Sequence, residues 1–201
     1  MDVDSTLIQD EVIELLAEHA GVRDAVAAVT DSAMRGEIDF AESLRQRVAT
    51  LAGLNVSVLA ETYERVRLSE GAEQLISYIH ANGGRVGAVS GGFSQILEPL
   101  ANRLSLDFYR ANDLEIVDGA LTGKVSGKII DRAAKSSALI EWAALSGVPL
   151  EDTAAIGDGA NDLDMFETSG ISFAFNAKPA VREAADVVVD IADLSLVIPH
   201  L

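Results

Sequence analysis

Short apolar runs alternate with helical patterns from residue 72 onward, and this alternation constrains the fold more than any other feature of the sequence. The pattern predicts, in chain order, helix 72–81, strand 85–89, helix 93–104, a hairpin at 114–123, helix 133–146, strand 153–156, helix 162–168, strand 171–175, helix 179–185 and strand 187–189. Strands that alternate with helices pair into a parallel sheet that is covered on both faces. The sequence therefore predicts the α/β class, with a Rossmann-like parallel sheet and helices on both faces.

The stretch before this alternation is different, because it has helical spacing and no convincing strand. Four short helices are predicted there, at 9–20, 23–34, 40–51 and 57–66. We therefore expect residues 1–11 and 69–201 to form the α/β core, and residues 12–68 to form a small all-helical unit inserted into it. We refer to residues 12–68 as the helical unit.

Net charge limits the partners that such a fold can bind. Lys and Arg total 15 while Asp and Glu total 32, which gives a formal charge of −17 at pH 7. A surface this acidic repels nucleic acid and anionic lipid, so we expect neither as a partner. It also repels an anionic small molecule unless a metal ion or a few placed cations attract that molecule locally.

The cysteine and histidine content of the chain excludes further classes of site. The chain has no cysteine, which excludes disulfides, thiolate nucleophiles and thiolate zinc sites. The three histidines are scattered and share no metal-ligand spacing. We see no signal peptide and no apolar run as long as a membrane span, so we expect a cytoplasmic location and no membrane partner.

Two aspartates open the chain, at a position where polar side chains can meet other loops. Open parallel sheets bind their ligands beyond the carboxyl ends of the strands. Asp2 and Asp4 alternate in an extended segment, so one carboxylate could attack as a nucleophile while the other donates and removes a proton. For Asp-x-Asp alone, an acidic solvated segment is the better explanation, and Ser5 or Thr6 could simply cap the next helix.

A small-residue motif, Ser90-Gly91-Gly92, lies between a predicted strand and a predicted helix. Its glycines let backbone N–H groups approach a phosphate oxygen, and the start of the helix favours negative charge. The Ser90 hydroxyl could donate a hydrogen bond to the same group. A strand-to-helix turn that needs small residues explains the motif equally well.

The most informative stretch is Gly157-Asp158-Gly159-Ala160-Asn161-Asp162, which follows a predicted strand. Oxygen ligands at this density suit a hard divalent cation such as Mg²⁺. Carboxylates that repel one another at a strand end also lower stability unless a cation offsets their charge. Capping of the next helix by Asn161 or Asp162 is the alternative, but the cluster exceeds what a cap needs, so we favour the metal.

One lysine is a candidate for the local cation. Lys135 lies near the start of helix 133–146, where the helix dipole disfavours positive charge. It is either an ordinary solvated lysine or the group that holds a phosphoryl group near the carboxylates. The sequence leaves both interpretations open.

Taken together, these segments resemble the four motifs of the haloacid dehalogenase-like phosphatases. The segment 2–6, Ser90-Gly91-Gly92, Lys135 and the segment 157–162 have the order and approximate spacing of those motifs, over essentially the whole chain. Each motif alone is unspecific, but the four together are highly specific. Within the family, the chain resembles the phosphoserine phosphatases more closely. This closer resemblance rests on segments 2–11, 43–47, 121–123 and 177–179 and on Met34 and Phe40.

This resemblance implies a Mg²⁺-dependent hydrolase and a role for each motif residue. Asp2 would attack phosphorus and become an aspartyl-phosphate, while Asp4 would protonate the leaving oxygen and then activate water. Mg²⁺ would be held by the Asp2 carboxylate, the Asp4 backbone carbonyl and Asp158, with Asp162 behind them. Ser90, Gly91 and Lys135 would contact the phosphoryl oxygens, with Asn161 nearby. Glu11 would bind the ammonium group of the substrate, and Arg47 would bind its carboxylate. Met34 and Phe40 would form an apolar wall.

The substrate that the resemblance implies is phosphoserine, hydrolysed to serine and phosphate in the last step of serine biosynthesis. Phosphohomoserine, phosphothreonine or a phosphotransfer reaction are alternatives within the fold, since Glu11 and Arg47 favour an amino-acid phosphate without measuring its chain length. A non-catalytic binder of a phosphorylated metabolite is an alternative of a different class. We expect a monomer or a homodimer.

The start of the core departs from the resemblance. Relatives have an apolar strand in the middle of the sheet before the first aspartate, whereas here Met1 alone precedes Asp2. We hypothesise that the sequence is incomplete, which intact-mass spectrometry would test. For residues 1–201 alone, we expect the first core strand to be missing, with a gap in the sheet and a poorly held nucleophile.

Overall fold

The computed structural model describes residues 1–34 and 37–201, and for Met34 it describes the backbone alone. Its α-helices are α1 (Val12–His19), α2 (Arg23–Met34), α3 (Phe40–Ala49), α4 (Ser57–Arg65), α5 (Ala72–Ala81), α6 (Ser94–Leu104), α7 (Arg132–Ser146), α8 (Leu163–Thr168) and α9 (Pro179–Arg182). Its strands are β1 (Gly87–Phe93), β2 (Phe108–Val117), β3 (Ala120–Ser126), β4 (Ala154–Gly157), β5 (Ile171–Phe175) and β6 (Val187–Val189). The alternation of strands and helices after residue 72 is confirmed.

The strands form two three-stranded sheets, in the orders β1-β2-β3 and β4-β5-β6. β1 and β2 are parallel, as are β4, β5 and β6, which confirms the predicted parallel α/β core. The predicted hairpin is the antiparallel pair β2–β3, whose turn residues Asp118 and Gly119 both have positive φ. β2 begins earlier than predicted, because Arg110 and Asn112 interrupt the apolar pattern of the part that pairs with β1.

Met1 and Asp2 lie between β1 and β4, where the two sheets meet. Val89 N donates to Met1 O at 3.0 Å, and Asp2 N donates to Ile156 O at 2.9 Å. Over the described residues the sheets are otherwise separate, and a cavity of about 430 Å³ lies beside this junction, lined from both β1 and β4. The expected gap in the sheet is therefore present.

The helical unit leaves the core and returns to it through two adjacent segments. Ile8 pairs with Leu68 in an antiparallel bridge, and Gln9 N donates to Arg67 O at 2.9 Å. Within the unit, α1 packs against α2 and α4, and α2 packs against α3. Paired connections of this kind are what an insertion into a core requires.

The core and the helical unit share one hydrophobic cluster, which fixes the unit next to the strand ends. Leu16 of α1, Val48 of α3 and Phe173 of β5 are all buried in it. α3 also packs against β3. Over the part of the chain that the structure describes, no helix has the length and apolar character that crossing a membrane requires.

Candidate active site

The ends of β1 and β4 place two polar segments beside Asp2. Ser90-Gly91-Gly92 forms the last part of β1, and Asp158 follows directly after β4. Asp2 is 3% exposed, and its carboxylate accepts a 2.8 Å hydrogen bond from Val3 N. The weak hold that we expected on this residue is therefore not observed, because β1 and β4 fix its backbone and buried partners fix its side chain.

Three buried carboxylates form a cluster, made of Asp2, Asp158 and Asp162, and we call it the carboxylate cluster. One oxygen of each lies within 4.8 Å of the others. Asp162 Oδ2 accepts hydrogen bonds from the N–H groups of Asp158 and Gly159 at 3.2 and 3.1 Å. Thr6 Oγ1 donates to Asp158 Oδ1 at 3.2 Å.

Burial and mutual repulsion change the pKa values of this cluster. Burial, then the Asp162 charge, raise the pKa of Asp2 to about 7. Burial and the charges of Asp2 and Asp162 hold the pKa of Asp158 well above its usual range. Each raised pKa means that the negative charges of the ionised cluster are not fully balanced by positive charge nearby.

Lys135 is the cation that the chain itself supplies to the cluster. Its Nζ is fully buried and lies 2.6 Å from Asp2 Oδ1 and 2.8 Å from Asp162 Oδ1. Burial lowers the pKa of Lys135, but the charges of Asp162 and Asp2 outweigh burial and raise it overall. Of the two interpretations that the sequence left open, the solvated lysine is wrong.

The start of α7 brings Lys135 to this position. Asp131 caps the helix by accepting a hydrogen bond from Ala134 N at 2.9 Å. Ala134 and Ala138 are buried on the same side of the helix, so the adjacent Lys135 is directed inward as well. Two carboxylates close to Nζ compensate for the unfavourable dipole at this end of the helix.

Asp4 is held by two hydrogen-bond donors. Val12 N, at the start of α1, donates to Asp4 Oδ1 at 2.8 Å, and Ser90 Oγ donates to Asp4 Oδ2 at 2.8 Å. Ser90 Oγ in turn accepts a 2.7 Å hydrogen bond from Gly92 N. Asp2 and Asp4 line the same cavity, so their two carboxylates could act on one ligand.

Residues of the helical unit line this cavity too. Among the predicted substrate contacts, the cavity is lined by Glu11, Phe40, Arg47, Gly91 and Asn161. The side chain of Met34, which was predicted to contact substrate, lies outside the described residues. The structure therefore brings five of the predicted contacts together with Asp2 and Asp4.

Glu11 and Arg47 place one acidic and one basic side chain in the cavity. Ser5 Oγ donates to Glu11 Oε1 at 2.6 Å, while burial and the nearby Asp4 raise the pKa of Glu11 to about 8. Arg47 is 6% exposed, and burial lowers its pKa, although a guanidinium remains charged. We call Glu11 and Arg47 the recognition pair.

Gly91 and Asn161 complete the lining of the cavity on the side of the core. A Cβ atom added at Gly91 would lie 2.5 Å from Phe40 Cζ, so the α3 ring sits directly against the end of β1. Asn161 Oδ1 is buried and has no hydrogen-bond partner among the described residues. Since buried polar atoms are normally satisfied, Asn161 has an unused acceptor for a ligand in this cavity.

The donor set of the carboxylate cluster fits a metal ion. All three groups are hard oxygen donors, which Mg²⁺ and Ca²⁺ prefer. Lys135 pairs with Asp2 and Asp162 but balances only part of the charge of three buried carboxylates. The cluster could therefore bind a divalent cation next to Asp2.

Comparison with known proteins agrees with this geometry. The family model described as haloacid dehalogenase-like hydrolase matches residues 1–167. The chain belongs to the haloacid dehalogenase-like hydrolase family.

Among curated relatives of this haloacid dehalogenase-like hydrolase, a phosphoserine phosphatase of Streptomyces coelicolor is 58% identical over 98% of the chain and 48% of the relative. A phosphoserine phosphatase of Streptococcus thermophilus is 50% identical over 100% of the chain and 94% of the relative. A solved structure described as a phospho-aspartyl intermediate analogue of phosphoserine phosphatase matches with a TM-score of 0.97 and 40% identity, over 100% of this chain and 96% of that one. The chain thus spans about half the length of the first relative and nearly all of the second.

Three hydroxyl groups hold side chains of the site and were not predicted from the sequence. Ser5 and Thr6 were considered only as helix caps, but they bond Glu11 and Asp158. Thr30 was not singled out at all, yet it accepts a 2.8 Å hydrogen bond from Arg47 Nη1. No motif signals Thr30; only its helical spacing from the inward-facing Val26 could have suggested an inward position.

Proposed function

We propose that the chain is a Mg²⁺-dependent phosphomonoester hydrolase that converts phosphoserine and water into serine and phosphate. The observation that carries this proposal is one cavity lined by two different groups of charges. Asp2 and Asp4 provide a nucleophile and a proton-transfer group, and the recognition pair provides the opposite charges that an amino acid requires. A plain phosphate ester has no use for the second group.

In the first half of the proposed reaction, an oxygen of Asp2 attacks phosphorus. The bond between phosphorus and the serine oxygen breaks, and Asp4 transfers its proton to that oxygen, so serine leaves and an aspartyl-phosphate remains on Asp2. Lys135 is 2.6 Å from Asp2 and would hold the phosphoryl oxygens together with Ser90 and Gly91, with Asn161 beside them. Placed cations and donors are what phosphoryl transfer needs most.

In the second half, Asp4 removes a proton from a water molecule that attacks the phosphorus of the aspartyl-phosphate. The bond between phosphorus and Asp2 breaks, phosphate leaves, and the Asp2 carboxylate is restored. Val12 N donates to Asp4 Oδ1 and would keep its carboxylate in one orientation for both proton transfers. The Ser90 hydroxyl, which has one proton and donates to Asp4 in this structure, would turn to the phosphoryl group when substrate binds.

Mg²⁺ would be held by the Asp2 carboxylate, the Asp4 carbonyl and Asp158, with Asp162 behind them. When bound, it supplies positive charge to the phosphoryl oxygens. Asp162 supports this site by accepting from Asp158 N and Gly159 N, which fixes the loop that carries Asp158. The high pKa of Asp158 without a metal is consistent with such a site.

We further propose that residues 1–11 and 69–201 act as the catalytic core and that the helical unit, 12–68, acts as its cap. Phe40 against Gly91 would form the apolar wall, together with Met34. A closed cap excludes bulk water, which strengthens the charge interactions of the recognition pair with substrate. The relatives described above support phosphoserine as the substrate, since they are named phosphoserine phosphatases.

Phosphate release from phosphoserine by the purified chain with Mg²⁺ tests the proposal. We expect release that vanishes in Asp2→Asn and on chelation of the metal, while phosphohomoserine and phosphothreonine are turned over less efficiently. Faster turnover of either of these would make the related substrate the correct one. Binding of phosphoserine without any release of phosphate would instead make the chain a non-catalytic binder.

A further inference from the structure

Arg47 needs support to act in recognition, because arginine is long and flexible. Among the described residues, two direct partners hold its guanidinium. Nε donates to Ser43 O of the same helix at 3.2 Å, and Nη1 donates to Thr30 Oγ1 of α2 at 2.8 Å. Of these two bonds, the bond to Thr30 links α3 to another helix, and it fixes the direction of the guanidinium plane.

Thr30 has the properties of a dedicated acceptor. It is 3% exposed, and its own hydroxyl donates to Val26 O at 3.0 Å. A hydroxyl has one proton, so this donation leaves the oxygen lone pairs for Arg47. The threonine is therefore locked on α2, and it presents a fixed acceptor to α3.

The position of this contact connects it to the substrate site. Thr30 and Arg47 both line the cavity that Asp2 and Asp4 line. A guanidinium has five N–H donors, so the bonds to Ser43 and Thr30 leave others for a ligand. An arginine that is already oriented loses less conformational freedom when a carboxylate binds.

We propose that Thr30 is a positioning residue that orients the Arg47 guanidinium toward the substrate carboxylate, and that selectivity for amino-acid phosphates over plain phosphate esters depends on it. The inference rests on the proposed function of Arg47. It adds a residue that contacts the recognition pair from a second helix of the cap. Thr30 takes no part in the transfer of the phosphoryl group.

The test compares Thr30→Val with Thr30→Ser in the full chain with Mg²⁺. Valine has the same shape but cannot accept from Arg47, whereas serine keeps the hydroxyl. For Thr30→Val, we expect the KM for phosphoserine to rise about fivefold to tenfold, with kcat changed by less than about twofold. We expect kcat/KM for p-nitrophenyl phosphate, which has no carboxylate, to stay within about twofold, and Thr30→Ser to behave like the wild type.

The chain offers a matched control, Thr62→Val. Thr62 is also a buried helical threonine, but its hydroxyl has no partner among the described residues, and it does not line the cavity. We expect both substrates to be turned over normally by this variant. A purely structural effect of losing a buried hydroxyl would lower the activity of Thr30→Val on both substrates equally, and that result would overturn the proposal.

Arg47→Ala separates failure of this inference from failure of the proposed function. If Arg47→Ala raises the KM for phosphoserine and Thr30→Val does not, Thr30 has no positioning role, while the proposed function stands. If Arg47→Ala itself leaves that KM unchanged, the proposed role of Arg47 is wrong. In the Arg47→Ala background, we expect Thr30→Val to have no further effect on KM, since the group that it orients is gone.

Discussion

The carboxylate cluster and the recognition pair line one site but are built differently. In the carboxylate cluster, two of the three buried carboxylates have a charged partner in the chain, since Lys135 lies between Asp2 and Asp162. In the recognition pair, Glu11 and Arg47 are held by neutral partners, the Ser5 hydroxyl, the Thr30 hydroxyl and the Ser43 carbonyl. The first group therefore depends on a buried ion pair within the chain, while the second has no direct ion pair among the described residues and leaves its polar atoms for a ligand.

This difference predicts that changes in the cluster affect folding and chemistry together, whereas changes in the recognition pair affect mainly substrate choice. Removing one member of a buried ion pair leaves the other charge uncompensated. Removing a group whose direct partners are neutral breaks no buried ion pair. The variants below test this division.

Lys135→Met should have the largest effect. It leaves Asp2 and Asp162 buried without their cation, so we expect the free energy of unfolding to fall by about 3–5 kcal/mol. We expect kcat to fall by roughly a thousandfold or more, because a donor to the phosphoryl oxygens is also lost. Urea unfolding and phosphate release measure the two effects.

Lys178→Met is the matched control for this variant. Lys178 pairs with Asp31 at 2.9 Å, but both side chains are more than a third exposed, at 38% and 49%. We expect a change in unfolding free energy below about 1 kcal/mol. Equal destabilisation by the two lysine variants would contradict the central role of Lys135 in the cluster.

Gly157→Ala should have the next largest effect. A Cβ there would lie 2.3 Å from Asp162 Oδ2, and Asp162 cannot move away easily because Lys135 and two N–H groups hold it. Displacement of the loop that carries Asp158 should reduce kcat roughly a hundredfold, since small misplacements in a reacting site are costly. Unchanged kcat in this variant would show that the cluster is less rigid than the structure indicates.

Arg47→Ala should change recognition more than chemistry. We expect the KM for phosphoserine to rise about thirtyfold, because a charge-assisted contact to carboxylate is lost. Turnover of p-nitrophenyl phosphate should change by less than about threefold. Equal losses on both substrates would refute the role of Arg47 in carboxylate binding.

Gly91→Ala should have the smallest effect of the four main variants. Its Cβ would lie 2.5 Å from Phe40 Cζ, but the Phe40 ring belongs to the helical unit and can shift more easily than Asp162. We expect kcat/KM for phosphoserine to fall only about threefold to fivefold. Phe40→Leu in the same chain should restore part of this loss; a further loss would mean that the ring is not the obstacle.

The sequence was sufficient to predict the position of those parts of the site that lie at the ends of strands. Ser90 lies near the end of β1 and Asp158 directly after β4, and parallel sheets bring such ends together wherever the strands lie in the chain. Lys135 remained ambiguous, because only tertiary packing shows whether a lysine is buried. Its burial between two carboxylates results from the packing of α7 against β1 and against residues 160–162, which follow β4.

Supporting contacts could not be predicted, because they join residues that are distant in sequence and common in type. Thr6 and Asp158 are 152 positions apart, and Thr30 and Arg47 lie on different helices. The same reason explains why β2 was predicted too short: its first half is polar and is held as a strand by β1. The expected gap in the sheet followed from the resemblance, but the firm hold on Asp2 depends on backbone contacts that a sequence does not reveal.

The central claim is that Asp2 accepts the phosphoryl group. Acid quenching of the chain during turnover of phosphoserine, followed by peptide mapping with mass spectrometry, tests it most directly. We predict a phosphoryl adduct on Asp2 that is absent from Asp2→Asn and from samples without substrate. Turnover with the adduct on another residue, or Asp2→Asn that still releases phosphate at the wild-type rate, would contradict the account.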